Sequence, residues 1–352
     1  MRLSVLPNDP NLSKKRWKLH FGEAFTRNAK TGYENRSTRH RDRGRCPYYY
    51  CRIAGVLAFA LASLIPIASN AYTAAGDRNF PAQLILPQIG PTDALWLPIS
   101  TLPMEAFKPF DPTRQTNVGG TYSKLITEDL GIELADGLIH RDRLRASSVT
   151  GAQNFRATLQ YEAILDPPHE FLLSVLLKHE FGGTGDQAAG SEKHGATTPG
   201  VTFGKGLGDL PIGYWRPLAI TGFAGYEFGE GPRTNSFQVG ISIQYSIPYL
   251  VSKVANVNMP RFLRGMTPIT EVFFTNPVEH VPGQGTNTTL VVAPGVSYSR
   301  GRGWELGIEA MIPTTRTAGH GIGVIAQLLV QLDYLLPESV VGRPIFVPTE
   351  LP

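Results

Sequence analysis

The chain has 352 residues, of which 42% are hydrophobic and 18% charged, with 37 Gly and 28 Pro. A charged share below the usual value of about 25%, combined with so many turn residues, argues against a helical bundle and for an all-β or a membrane protein. The formal net charge of +4 is a poor guide to partners: residues 1–71 carry 13 Lys/Arg against 4 Asp/Glu, and the rest carries 20 basic and 25 acidic side chains, a net −5. No nucleic-acid partner is expected.

Residues 53–68, IAGVLAFALASLIPIA, form an apolar run preceded by Arg52 and a basic stretch and followed by Ser69-Asn70-Ala71. The run is short for a membrane-spanning helix, which needs about 20 residues. Positive flank, apolar stretch and small-x-small end predict a secretory signal peptide cut near Ala71. Residues 1–45 are Arg-rich and hydrophilic, either an extended leader or a stretch upstream of the true start. Both cysteines, Cys46 and Cys51, lie in this leader, so no disulfide scaffold or Cys-based metal site is expected in the mature chain.

Residues 72–112 mix Pro with apolar residues and show no clean period; they read as a lead-in that stays periplasmic or folds into a lumen. The body, 113–337, alternates at period two, the mark of a β-strand. In 154–163, Phe155, Ala157, Leu159, Tyr161 and Ala163 oppose Asn154, Arg156, Thr158, Gln160 and Glu162. In 236–247, Phe237, Val239, Ile241, Ile243, Tyr245 and Ile247 oppose Gln238, Gly240, Ser242 and Gln244. In 303–310, Trp304, Leu306 and Ile308 oppose Glu305, Gly307 and Glu309; in 322–334, Val324, Ala326, Leu328 and Val330 oppose Gln327, Gln331 and Asp333. The predicted strands are 116–126, 130–141, 152–163, 169–182, 197–205, 214–228, 235–248, 267–277, 286–298, 302–312 and 320–336. Bacterial barrels close with an even number of strands, so one of these is miscounted or another lies in 82–99. The expected fold is an all-β, antiparallel up-and-down transmembrane β-barrel of about 10–12 strands.

Short turns at Asp166-Pro167-Pro168 and Arg300–Gly303 alternate with longer polar stretches at 182–198, 229–235 and 279–286, the layout of an outer-membrane barrel. Residues 249–264 read as a longer, partly helical connection. Phe155 and Tyr161, Phe171 and Phe181, and Phe237 and Tyr245 fall towards opposite strand ends, where aromatic girdles sit. The tail 338–352 runs past Tyr334, so either Phe346 supplies the closing aromatic or the tail folds back.

No catalytic, metal or cofactor site is expected. His169, His179, His194, His280 and His320 are scattered, and His179 and Glu180, adjacent on a strand, point to opposite faces. The Gly-rich stretches 182–186 and 204–209 lack the Gly-Lys-Ser/Thr ending of a phosphate loop. If the apolar face meets lipid, then Arg156, Glu162, Lys178, Glu180, Gln238, Gln244, Glu305, Glu309, Gln327, Gln331 and Asp333 line the lumen. There they would set the selectivity of a pore or pair up and fill a narrow one.

From Thr116 to Pro337 the chain resembles the porin-like outer-membrane transporters of the "MetA-pathway of phenol degradation" type. The resemblance rests on Glu128-Asp129-Leu130-Gly131-Ile132, Asn154 to Tyr161, His169-Glu170-Phe171 and Trp304-Glu305-Leu306-Gly307. It implies an outer-membrane channel, not an enzyme, passing small solutes, hydrophobic or aromatic ones among them. The implied partners are outer-membrane lipid, the barrel-assembly machinery and the solute. The alternatives are a closed structural or adhesive barrel acting through its loops, or a lipid-modifying barrel enzyme.

Overall fold

Period-two alternation hands each strand one apolar and one polar face, and a sheet of such strands buries the polar faces only by curling shut around them. The computed structural model describes residues 73–104, 113–143, 146–255, 257–278, 288–301 and 303–346. The leader, the apolar run at 53–68 and its cleavage site lie outside them. Two tiny strands, β1 (Ala74–Ala75) and β2 (Arg78–Asn79), pair with each other. The barrel strands are β3 (Ala94–Met104), β4 (Thr113–Leu125), β5 (Leu130–Arg143), β7 (Arg156–Asp166), β8 (Phe171–Glu180), β9 (Ala196–Gly206), β10 (Leu218–Gly229), β11 (Ser236–Tyr245), β12 (Met266–Pro277), β13 (Thr289–Ser299), β14 (Trp304–Pro313) and β15 (Gly323–Gln331). Each pairs antiparallel with its neighbour in this order, and β3 closes the ring on β15 from Thr101↔Val324 to Ala94↔Gln331. A four-residue strand, β6 (Val149–Ala152), extends β5 beyond its pairing with β7.

The fold is therefore a closed twelve-stranded antiparallel barrel, and the twelfth strand is β3, inside the stretch read as lead-in. The barrel begins at Ala94, so the boundary expected at 112/113 does not separate it from what precedes. Period two is hidden in β3 because both faces are apolar: Leu95, Leu97 and Ile99 point outward, while Ala94 and Trp96 pack in a buried cluster with Ala82 and Leu329. The last strand stops at Gln331, and Leu332–Leu335 forms a helical turn where a continuing strand was expected.

Polarity is inverted relative to a soluble protein. On β11, Ile241 and Ile243 are 44% and 53% exposed, while Ser242 and Gln244 between and beside them are 0% and 2% exposed. The same holds on β14, with Leu306 and Ile308 outside and Glu305 and Glu309 buried. The outer face of β5 departs from this pattern: exposed Asp136 lies between Leu134 and Leu138 and accepts a hydrogen bond from the Gly137 amide at 2.7 Å, and His140 and Asp142 follow it towards the strand's end.

Connections 126–129, 167–170, 207–217, 246–265 and 300–303 share one end, here the turn end; those after β3, β5, β8, β10, β12 and β14 share the other, the loop end. The short turns at 166–168 and 300–303 fall together as expected, but the turn end also carries 207–217 and the partly helical 246–265. The tail folds back there: Ile345 and Phe346 donate their amides to the carbonyls of Leu125 and Ile126. Lys124 Nζ lies beneath it, 2.6 Å from Asp93 Oδ1 and 2.7 Å from the Arg343 carbonyl.

Asp93 is fully buried and Lys124 is 7% exposed. Removing one partner of such a pair leaves a buried charge and costs about 3–5 kcal/mol. Asp93→Ala is expected to lower the temperature at which the folded band converts to the unfolded band on a denaturing gel. The double substitution with Lys124→Ala recovers part of that loss.

Candidate functional site

Residues 73–93 occupy the lumen as a re-entrant loop. The outgoing leg starts at the turn end, where β1 and β2 sit against the β7–β8 turn; the tip, 82–88, reaches the inner wall; the returning leg arrives at Asp93 and passes into β3 at the same end. Beyond the β1–β2 pair the loop has no ladder, so its backbone groups must find partners on the wall. Glu271 supplies three: Oε1 accepts from the Leu84 amide at 2.9 Å, and Oε2 from Ile85 and Leu86 at 2.7 and 3.0 Å. Glu305 Oε1 accepts from the Ala82 amide at 2.8 Å and from Ser297 Oγ at 2.7 Å. On the returning leg, Gln160 donates to the Gln88 carbonyl at 2.9 Å and Thr202 to the Ile89 carbonyl at 3.0 Å. Gln83 and Gln88 clasp each other across the tip, Gln83 donates to Thr221, and Gln327 donates to the Gln83 carbonyl.

The loop's apolar side chains sit on wall glycines. Leu84 lies over Gly307, Leu86 over Gly240, and Ile89 over Gly204; a Cβ at Gly307 would stand 2.6 Å from Leu84 Cδ1, and one at Gly204 2.8 Å from Ile89 Cδ1. Phe80, Leu84, Leu86 and Ile89 are all buried, each worth roughly 1.5–3 kcal/mol of burial. At the base, Arg78 is 1% exposed; it donates to Glu170 Oε2 at 3.2 Å, to the Pro217 carbonyl at 3.0 Å and to the Arg216 carbonyl, and stacks 4.0 Å from the centre of the Tyr249 ring. Tyr249 donates to Glu170 Oε1 at 2.8 Å. Burial, then that bond to Glu170, push its phenol up to about 12, so it stays protonated and keeps donating.

Two cavities of about 370 Å³ each are lined in part by this segment, one by its base and one by its tip. The turn-side cavity is lined by Asn79, Tyr249, Arg264, Ser297 and Glu305 among others. The loop-side cavity is walled by the tip itself and by Trp96, Glu133, Arg156, Lys178, Phe223 and Phe273 among others.

The structure distributes the sequence-predicted residues unevenly. Arg156, Lys178, Gln238 and Gln327 meet at the loop-side cavity. Glu305 holds the loop and faces the turn-side cavity. Glu162 faces the returning leg at Gly90. Glu180 accepts from Asn154 at 2.8 Å and pairs with Arg233 at 3.2 Å. Gln244 is buried beside Thr221 and Ser242, and Gln331 is buried at the base of β15. Glu309 is buried near Glu271, with neither oxygen hydrogen-bonded among the described residues. Asp333 sits on the helical turn past β15, near Asp93 and Lys124, where its Oδ1 accepts from the Tyr334 amide at 2.9 Å. Burial, foremost, pushes its carboxyl up to about 7.

Sequence reasoning missed Glu271, Glu133 and Glu170. Glu271 shares its inward face with Ile269 and Phe273, so β12 lacks a clean polar face; Glu170 stands in a turn at φ 49°. His179 points outward to Thr197 Oγ1 at 2.9 Å and away from Glu180. Among the described residues, no group of three or more His, Cys, Asp or Glu is placed to hold a metal ion.

No family model matches the sequence, and comparison with curated proteins finds no match. Among solved structures the chain is similar to the COG4313 outer membrane channel from Pseudomonas putida F1, at 12% identity and a TM-score of 0.48, over 72% of this chain and 99% of that one. It is similar to the KdgM porin at 10% identity and 0.40, over 67% and 98%. It is also similar to the outer membrane protein OprD from Pseudomonas aeruginosa, at 8% and 0.30, over 76% and 97%. At these levels the functional reading rests on the chain's own geometry.

Gly240→Val is expected to push Leu86 off the wall at a cost of about 1–3 kcal/mol of overpacking. Hydrogen exchange at the Leu84, Ile85 and Leu86 amides should quicken, while amides of the barrel ladders stay protected.

Proposed function

We propose that this protein is an outer-membrane channel for small solutes, hydrophobic or aromatic ones among them, and that the re-entrant loop sets how far it is open. The observation that carries this reading is that the re-entrant segment lines two cavities, one at its base on the turn side and one at its tip on the loop side. A barrel built only as a scaffold has no need of hollow space beside the segment that fills its lumen. The exposed apolar belt supports placement in lipid: Leu159, Val175, Leu177, Val201, Ile241, Ile243, Leu306 and Ile308 face out on β7, β8, β9, β11 and β14. Strands of 9 to 14 residues are long enough to cross, since a tilted spanning strand takes about 9–11. Aromatic pairs cluster near both rims, Phe155–Phe181 and Tyr226–Phe228 at the loop end and Tyr298–Trp304 at the turn end, as ring-bearing side chains do at headgroup level. In this reading lipid and the barrel-assembly machinery are its partners, the turn end faces the periplasm, and the MetA-type resemblance supports the apolar solute class.

The wall carboxylates make the loop testable without deleting it. Each amide left without an acceptor in a dry interior costs about 1–3 kcal/mol. Glu271→Ala with Glu305→Ala therefore weakens closure at four amides. In planar bilayers the wild-type chain is expected to conduct weakly, and the double variant several-fold more. If neither conducts while both fractionate with the outer membrane and shift on heating, the closed structural barrel is the better account.

A further inference from the structure

The loop-side cavity combines two kinds of wall. One is apolar: Trp96, Leu176, Phe223, Phe273 and the loop's Leu84 and Leu86. The other carries charge. Glu133, Thr158 and Lys178 form one inward row across β5, β7 and β8, and Ala135, Arg156 and Glu180 form the next. Glu180 and Glu227 are both taken by Arg233, at 3.2 and 3.1 Å. Arg156 and Lys178 have no hydrogen bond or ion pair among the described residues, although both line the cavity. Two buried polar atoms on the same wall also lack partners, the Trp96 indole Nε1 donor and Glu133 Oε1. The guanidinium and the ammonium line this half-open cavity with no direct acceptor among the described residues, which leaves them open to an acceptor that a solute brings.

We propose that this cavity binds an amphipathic monoanion: a carboxylate held by Arg156 and Lys178, carried on an aromatic or short aliphatic body that packs on Trp96, Phe223 and Phe273. A volume of about 370 Å³ falls in the range of small-ligand sites, about 300–1,000 Å³. Arg156, Lys178 and Arg233 stand against Glu133, Glu180 and Glu227 on this wall, so its charges balance among the described residues and a single carboxylate is taken by local contact with Arg156 and Lys178. Arg156 supplies the planar fork that a carboxylate matches in two bonds. The inference rests on the channel reading and narrows its solute class.

The test is calorimetric binding to the purified full-length barrel in detergent, with 4-phenylbutyrate as probe and its neutral amide as control. The acid is expected to bind about tenfold or more tightly than the amide, with affinity falling as salt rises. Arg156→Gln and Lys178→Gln should each remove most of that preference, Arg156→Lys should keep part of it, and Phe223→Ala should weaken acid and amide alike. Heat-modifiable migration of each variant shows that it has folded. Equal binding of acid and amide, or a preference untouched by either Gln substitution, overturns the proposal. Bilayer conductance separates the two readings: a loop variant that conducts in a barrel without acid preference keeps the channel and removes the anion site. Acid binding in a barrel that never conducts keeps the anion site and removes the channel.

Discussion

The arrangement depends on one carboxylate taking three consecutive amides. A chain segment placed in a dry lumen without a sheet of its own carries unsatisfied N–H groups, and these decide whether it can stay. Glu271 receives Leu84, Ile85 and Leu86 at 2.7 to 3.0 Å, so the tip is pinned through its backbone and its side chains are left to pack. Leu84 and Leu86 then settle over Gly307 and Gly240. The geometry at the tip and the missing side chains on the wall are two halves of one fit.

The same fit divides the labour of the inner wall. Around the tip the wall contributes acceptors and hollows: Glu271, Glu305, Gly240 and Gly307. At the base it contributes a buried ion pair with a ring stacked on it, Arg78 with Glu170 and Tyr249. On the loop side it contributes Arg156 and Lys178, whose side chains line the cavity with no hydrogen bond or ion pair among the described residues. The inward polar side chains around the segment thus divide between holding its tip, anchoring its base and lining the loop-side cavity.

How far the sequence is legible follows from which surface each face meets. On β11 and β14 the outer residues meet no protein and the inner ones are polar, so the faces read directly, as with Ile241 and Ser242. On β3 and β12 the inner face meets the loop, and Trp96, Ile269 and Phe273 make both faces apolar; period two fades there, and with it the twelfth strand and Glu271. The role of Glu271 has no sequence signature, because its partners are main-chain amides. Gly240 and Gly307 are visible as inward positions of their strands, but their reason is Leu86 and Leu84, more than a hundred residues away. Past Gln331 the alternation has no counterpart, because Asp333 lies on a helical turn.

Both legs of residues 73–93 leave by the same end of the barrel, one held at Arg78 and the other at Asp93. A segment that ran from one rim to the other would have to be threaded through the ring, or the ring built around it, and threaded topologies are all but absent from proteins. A loop that doubles back needs neither. It can be laid into a ring already sealed between β3 and β15, and lifted out again, without breaking a single rung of the ladder.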